Sequence, residues 1–148
     1  MRLYEIREMA ERLLIGKGLY RDGWRFEFDN AVRRFGCCKY RQKCITMSRK
    51  LAVIATDDDI RNNVLHEIAH ALAGPGKGHG PEWKRIAVEI GCTGDRCHTL
   101  PTHHGAKYVM TCPKCEKTWH RHRKPKHGLY GYKCPCGYSF QIHFERTK

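Results

Sequence analysis

The segment from Asn62 to Lys84, NNVLHEIAHALAGPGKGHGPEWK, constrains the fold more strongly than any other part of this sequence. His66 and His70 are four residues apart, so on an α-helix they share one face and can bind one ion together. A stretch rich in Gly and Pro follows, which lets the chain double back and present His79 as a third ligand. The sequence therefore predicts a helix, a reversal and a metal site where the two meet.

Glu67 directly follows the first of these histidines and is rotated from it by roughly 100° around the helix. It can therefore miss the ion and still reach a water molecule beside it. This HExxH spacing is typical of zinc hydrolases, in which a carboxylate acts as general base and three protein ligands leave one position for water. A bare HExxH also arises by chance in helices, but the apolar helical stripe and the glycine-flanked His79 favour a catalytic zinc site.

The residues around this segment predict a mixture of helices and strands. Apolar residues at helical spacing predict a first helix that ends near Gly16. Three short stretches before the histidines, WRFEF, RRFGCCKY and KCITMSRKL, are typical of strands. Thr56 and Asp59 have the spacing of a capping box, which predicts the start of the histidine-bearing helix. Pro81 is expected to begin the next helix and Gly91 to end it.

The motifs ITMSRKL, NNVLHEIAHAL and GKGHGPEWK resemble the SprT-like zinc metalloprotease family, whose Spartan-type members degrade proteins crosslinked to DNA. The resemblance extends from about Phe35 to Ile90 and, more weakly, into the C-terminal residues. It implies an α+β fold with a small zincin-like metalloprotease domain, in which helices pack on a short sheet. It also implies a zinc endopeptidase that acts in DNA repair. The residues that it implies are the zinc ligands His66, His70 and His79 and the catalytic base Glu67.

Two cysteine pairs near the C-terminus, Cys112 with Cys115 and Cys134 with Cys136, flank an 18-residue basic insert. Two such pairs can bind one tetrahedral zinc. A segment this short builds little hydrophobic core and usually needs a metal or another cross-link for stability. We therefore predict a metalloprotease domain at 1–105 and a zinc ribbon at 106–148 with a structural zinc. The second pair has one intervening residue where two are commoner, so a histidine remains open as the fourth ligand. The candidates are His120, His122, His127 and His143.

Nine cysteines without a predicted secretion signal indicate metal binding rather than a disulfide framework. No segment approaches the ~18 consecutive apolar residues of a membrane span. We expect a cytoplasmic monomer without a membrane partner, and leave a nuclear or nucleoid-associated location open. Outside the two pairs, Cys37, Cys38 and Cys44 are expected to be ordinary thiols. Cys92 and Cys97, with His98 nearby, remain open as a further metal site.

The positive charge is concentrated at the C-terminal end of the chain. The formal net charge is +13, and residues 106–148 contribute +8 of it. Such an excess predicts a polyanionic partner, most simply DNA, and the insert interleaves aromatic with basic residues, which suits base stacking and phosphate contacts. The aromatic residues can instead cover the small core, or do both. The residues predicted to contact DNA, preferably single-stranded or junction DNA, are Trp119, Arg121, Arg123, Lys124, Lys126, Tyr130, Tyr132 and Lys133.

Three functions are compatible with these patterns. The first is a zinc metallopeptidase that cleaves DNA-bound or DNA-crosslinked proteins. The second is a cytosolic metallopeptidase that cuts a dedicated regulator without DNA. The third is a non-catalytic nucleic-acid-binding module in which both zinc ions are structural. Glu67 argues against the third function, because a structural site has no use for a base at that position.

Overall fold

The computed structural model describes residues 1–95, 106–123, 132–140 and 145–146. The chain divides into two compact units, Met1–Thr102 and His103–Lys148. The boundary predicted between residues 105 and 106 adjoins residues 96–105, which lie outside the described ranges, and it stays a prediction. Within the described residues, none of the helices is both long and apolar enough to cross a membrane.

Four helices and a three-stranded sheet make up the described part of the first unit, so the predicted α+β class is confirmed. The helices are α1 (Leu3–Gly16), α2 (Arg49–Ala52), α3 (Asp57–Ala73) and α4 (Pro81–Glu89). The strands are β1 (Arg25–Asp29), β2 (Gly36–Lys39) and β3 (Cys44–Ser48).

The sheet has the order β1-β3-β2, so β3 is its central strand. All five residues of β3 are buried, as expected for a strand that is covered on both faces. β1 runs parallel to β3, and β2 runs antiparallel to it with Cys38 opposite Ile45. A turn at Tyr40–Gln42, followed by Lys43 at φ 46°, connects β2 to β3. β2 is therefore an edge strand, and it lies against α3.

α3 packs against the rest of the first unit on two sides. Ile60, Val64 and Ile68 are fully buried in the main core with the sheet and α1. Leu65 and Ala69 belong to a second cluster that packs α3 against α4. Burial of each large aliphatic side chain stabilises the fold by about 1.5–3 kcal/mol, so α3 is held firmly from two directions.

The ends of α3 have the predicted signals. The Thr56 hydroxyl accepts from the Asp59 N–H at 3.1 Å, and the Asp59 carboxylate accepts from the Thr56 N–H at 3.2 Å, which completes the capping box. The helix ends at Ala73, and the next residues reverse the chain with positive φ angles that favour glycine. These angles are 86° at Gly74, 81° at Gly76 and 52° at Gly78.

The second unit contains a small antiparallel sheet around a cysteine-rich core. Its strands, in the order β5-β4-β6, are β4 (Tyr108–Thr111), β5 (Thr118–Arg121) and β6 (Glu145–Arg146). Among its described residues, Met110, Cys112, Cys134 and Phe140 form a buried cluster, against which Trp119 and Tyr138 pack. Two of these four buried side chains are large and apolar, so a metal at the cysteines would add stability.

Candidate metal centre and catalytic cleft

Three histidine side chains converge at the C-terminal half of α3. His66 and His70 come from successive turns of the helix, and the glycine-rich reversal brings in His79. The Nε2 atom of His79 lies 3.0 Å from that of His66 and 3.1 Å from that of His70. Tetrahedral nitrogen ligands at about 2.0–2.1 Å from zinc are roughly 3.3 Å apart, so this set fits one ion.

Trp83, near the start of α4, forms the floor beneath the three histidines. It is fully buried, and its ring centroid lies 4.7 Å from His66, 5.2 Å from His70 and 4.6 Å from His79. The sequence predicts only the helix that begins at Pro81 and assigns Trp83 no role. The available signal was its place in the first turn of that helix, shortly after His79.

His70 has the protonation state that a metal ligand needs. Burial, together with the neighbouring His79, lowers the pKa of His70 from 6.5 to about 4. The ring is therefore neutral at physiological pH, and a neutral imidazole is the form that binds metal.

Glu67 lines the same cleft as the three histidines and is 6% exposed. Burial raises the pKa of its carboxyl group to about 8, while the charge of Arg34 and the backbone N–H of Cys38 act in the opposite direction. A cation at the histidines would also favour the ionised carboxylate and lower this pKa towards neutrality. A carboxylate with a pKa near the working pH is suited to general-base catalysis.

The edge strand β2 approaches Glu67 so closely that only glycine fits at position 36. A Cβ atom on Gly36 would lie 2.5 Å from Oε1 and 2.8 Å from Cγ of Glu67. It would also lie 2.6 Å from Oδ1 of Asn63, which is one helical turn before Glu67. Among the described residues, this buried Oδ1 atom has no hydrogen-bond partner. The backbone at Gly36 therefore sets the position of the Glu67 carboxyl group.

A cleft of about 820 Å³ runs along α3 and contains the histidines and Glu67. Its opposite wall is formed by β2 and by the loop that precedes it, which includes Arg33 and Arg34. Cys37, Cys38 and Tyr40 also line this wall. Burial raises the pKa of the Cys38 thiol to about 12, so the predicted role of an ordinary thiol suits it.

The four C-terminal cysteines form the second candidate metal site. The Sγ atoms of Cys112 and Cys136 are 3.6 Å apart, and those of Cys115 and Cys134 are 3.5 Å apart. Four tetrahedral thiolates at ~2.3 Å from zinc lie roughly 3.8 Å apart, so the cluster fits one ion. The backbone N–H of Tyr138 is the main cause that lowers the pKa of Cys136 to about 7, which favours the thiolate.

The model of the SprT-like family matches residues 5–126, which is most of the chain. This chain belongs to the SprT-like family. The family is generally metallopeptidase-like, and the match covers α1 to α4 and the first cysteine pair. No curated protein matches the chain significantly.

Both candidate metal sites of this SprT-like chain have donor atoms that are compatible with zinc. In the described ranges, two groups of residues have ligand atoms close enough to hold a metal, namely the three histidines and the four cysteines. Among the described residues, the Sγ atom of Cys136 lies within 4.8 Å of the other three, which makes Cys136 the candidate fourth ligand. His127 and His143, which the sequence left open as alternatives, lie outside the described residues. Cys97 and His98 lie outside the described residues, so the further metal site considered with Cys92 is not described.

The structure describes some of the residues in the second unit that are predicted to contact DNA. Arg121 lies over the ring of Tyr132 at 5.6 Å, and Tyr132 is 41% exposed. Trp119 is half-buried and packs edge-on against Phe140 at 5.8 Å, so one side of it covers the small core. Arg123 and Lys133 are exposed. Lys124, Lys126 and Tyr130 lie outside the described residues.

The two metal sites predict a defined metal content. Purified wild-type chain is expected to contain about two zinc ions, and the His66→Ala/His70→Ala variant about one, because only the histidine site loses its ligands. Elemental analysis measures both values. The matched control is His120→Ala/His122→Ala, which changes two histidines outside both clusters and should retain two ions. An unchanged zinc content in the His66→Ala/His70→Ala variant would contradict the histidine site.

Proposed function

We propose that this SprT-like chain is a zinc-dependent endopeptidase that cleaves proteins bound or crosslinked to DNA. The observation that carries the proposal is the arrangement in the cleft, where the Nε2 atom of His79 lies 3.0–3.1 Å from those of His66 and His70, and the buried Glu67 lines the same cleft. The family match supports the peptidase part of the proposal. The basic second unit supports the DNA part.

Zinc held by the three histidines would supply a Lewis acid and would lower the pKa of bound water towards ~7. Glu67 then has two tasks, which its buried position suits. Its carboxylate accepts a proton from the water that attacks the peptide carbonyl. The resulting carboxylic acid donates that proton to the departing amine. Gly36 and the backbone N–H of Cys38 hold the carboxyl group in place for both transfers.

The wall of the cleft suits an extended polypeptide. β2 is the edge strand of its sheet and borders the cleft next to Glu67. Backbone groups on the free edge of a strand can pair with an added peptide strand, which gives affinity without demanding a particular sequence. This arrangement supports an endopeptidase that accepts varied proteins.

The second unit supports DNA as the place where substrates are held. Residues 106–148 have a formal charge of +8. The guanidinium of Arg121 covers the exposed ring of Tyr132, so a cation and an aromatic surface lie together. Single-stranded DNA is bound by such combinations of positive charge and stacking surfaces.

Neutralising four basic residues of the insert should separate DNA binding from cleavage. In the variant with Arg121, Arg123, Lys124 and Lys126 all changed to Ala, affinity for single-stranded DNA is expected to fall and to depend less on salt. Each lost phosphate contact reduces the salt slope by about 0.7. Titration of labelled single-stranded and duplex DNA at several salt concentrations measures both effects. DNA stimulation of cleavage should also disappear, while cleavage without DNA and the zinc content remain.

The control is a variant that loses the same number of positive charges, but from the first unit. Arg12, Lys17, Arg21 and Lys50 are exposed, and their replacement by Ala should leave the affinity and the salt slope nearly unchanged. If the insert variant binds DNA as tightly as the wild type and with the same slope, the second unit is only a structural module. The peptidase that cleaves a dedicated regulator without DNA would then be the better proposal.

A further inference from the structure

Arg34 presents unused hydrogen-bond donors to the cleft. It lies between β1 and β2, and its side chain is 52% exposed. Its Nη2 atom donates to Oδ2 of Asp29 at 2.6 Å. In the described part of the chain the guanidinium makes no other hydrogen bond, so Nε and Nη1 remain available in the cleft that Arg34 lines.

The partner of Arg34 is itself firmly held. Asp29 ends β1, and its carboxylate accepts from the backbone N–H of Ala31 at 2.9 Å and from the hydroxyl of Thr46 at 2.8 Å. Thr46 is buried in the central strand β3. Asp29 is not among the residues that line the cleft, so it fixes the guanidinium from behind and leaves its other side open. Such pre-positioned donors need little reorganisation during a reaction.

Peptide-bond hydrolysis is accelerated by hydrogen-bond donors or positive charge placed at the carbonyl oxygen. When water adds to the carbonyl carbon, the π electron pair of the C=O bond moves onto oxygen. The electron pair on oxygen then re-forms the C=O bond while the C–N bond breaks, the electron pair of the C–N bond goes to nitrogen, and nitrogen takes the proton held by Glu67. Donors that are aimed at the oxygen during this sequence typically accelerate such reactions by ~10²–10³-fold.

We propose that Arg34 is a catalytic residue that donates hydrogen bonds to the carbonyl oxygen of the scissile bond, an assignment that rests on the proposed peptidase function. Arg34 lines the same cleft as Glu67 and the three histidines, so its free donors face the space in which the substrate would lie. Arg33 lines the same cleft, but no described carboxylate anchors it as Asp29 anchors Arg34. Asp59 also lines the cleft, but its carboxylate is already hydrogen-bonded to the N–H and the hydroxyl of Thr56 in the cap of α3.

The kinetic test compares Arg34→Ala with the matched variant Arg33→Ala, which removes the same charge from the same cleft. Arg34→Ala is expected to lower kcat by ~10²-fold with little change in KM, on substrates with and without acidic side chains. Arg34→Lys should regain part of the loss, as should guanidinium ions added to Arg34→Ala. Arg33→Ala should change kcat by no more than a few-fold. Thermal unfolding and zinc content check that each variant is folded.

A binding test does not depend on turnover. In the Glu67→Gln background, calorimetry compares a peptide with its phosphinic analogue, whose anionic tetrahedral phosphorus replaces the scissile carbonyl. Adding Arg34→Ala should weaken binding of the phosphinic analogue by ~10²-fold and leave binding of the peptide nearly unchanged.

The possible failures are distinguishable. If the wild type cleaves and Arg34→Ala keeps its kcat, or raises only KM for acidic peptides, the assignment of Arg34 is overturned and the peptidase proposal survives. If the zinc-loaded wild type cleaves no protein and Glu67→Gln binds neither peptide nor analogue, the peptidase proposal fails and the assignment of Arg34 fails with it.

Discussion

Replacement of Glu67 by Gln is expected to slow peptide-bond cleavage by at least ~10²-fold while both zinc ions remain bound. The two side chains have nearly the same shape, so Gln fits the buried space beside Gly36. Gln cannot accept a proton from water at neutral pH, so the attacking water loses its base. Cleavage of a protein substrate over time, together with elemental analysis and thermal unfolding of both proteins, measures these effects.

A matched control for Glu67→Gln is Glu89→Gln on α4. Glu89 is exposed and pairs with Arg85 at 2.9 Å, away from the cleft. Exposed ion pairs of this kind contribute little to stability, so this variant should cleave like the wild type. Wild-type activity in Glu67→Gln would contradict the proposed water-activation mechanism.

Gly36→Ala is expected to have an effect of similar size, although it adds only a methyl group. The new Cβ atom would lie 2.5 Å from the Glu67 carboxyl oxygen, which is too close for any real contact. Glu67 and β2 must therefore move apart, and displacement of a catalytic group by about 1 Å can cost ~10²-fold in rate. We expect kcat/KM to fall by about that factor with the zinc content unchanged.

Gly16→Ala serves as the control for this glycine substitution. Gly16 ends α1, and a Cβ atom there would meet nothing within 4 Å. Its activity should equal that of the wild type. If Gly36→Ala also retains full activity, the approach of β2 does not position the catalytic base.

The convergence of the three histidines could be predicted from the sequence because its geometry is local. A spacing of four residues puts His66 and His70 on one helical face whatever surrounds them. The glycines after Ala73 then need only a short reversal to bring His79 back. The cysteine pairs are local in the same way, since each pair lies within one turn.

The walls of the cleft depend on contacts that are distant in sequence. Arg34 enters the cleft because Asp29, which is held by Thr46 on another strand, fixes its direction. No spacing rule connects these residues. Gly36 did carry a signal, because an isolated glycine in a strand often marks a close approach of the backbone. Its partner, Glu67, becomes known only when β2 is placed beside α3.

The most direct test of the central claim is the appearance of new peptide termini in a protein crosslinked to single-stranded DNA. Mass spectrometry identifies these termini after incubation with wild-type or Glu67→Gln chain, each loaded with two zinc ions, and with the same substrate protein free of DNA. The proposal predicts new termini with the wild type alone, formed faster on the crosslinked protein than on the free one. The claim would be contradicted if both chains produced the same new termini in equal amounts, or if the zinc-loaded wild type produced none.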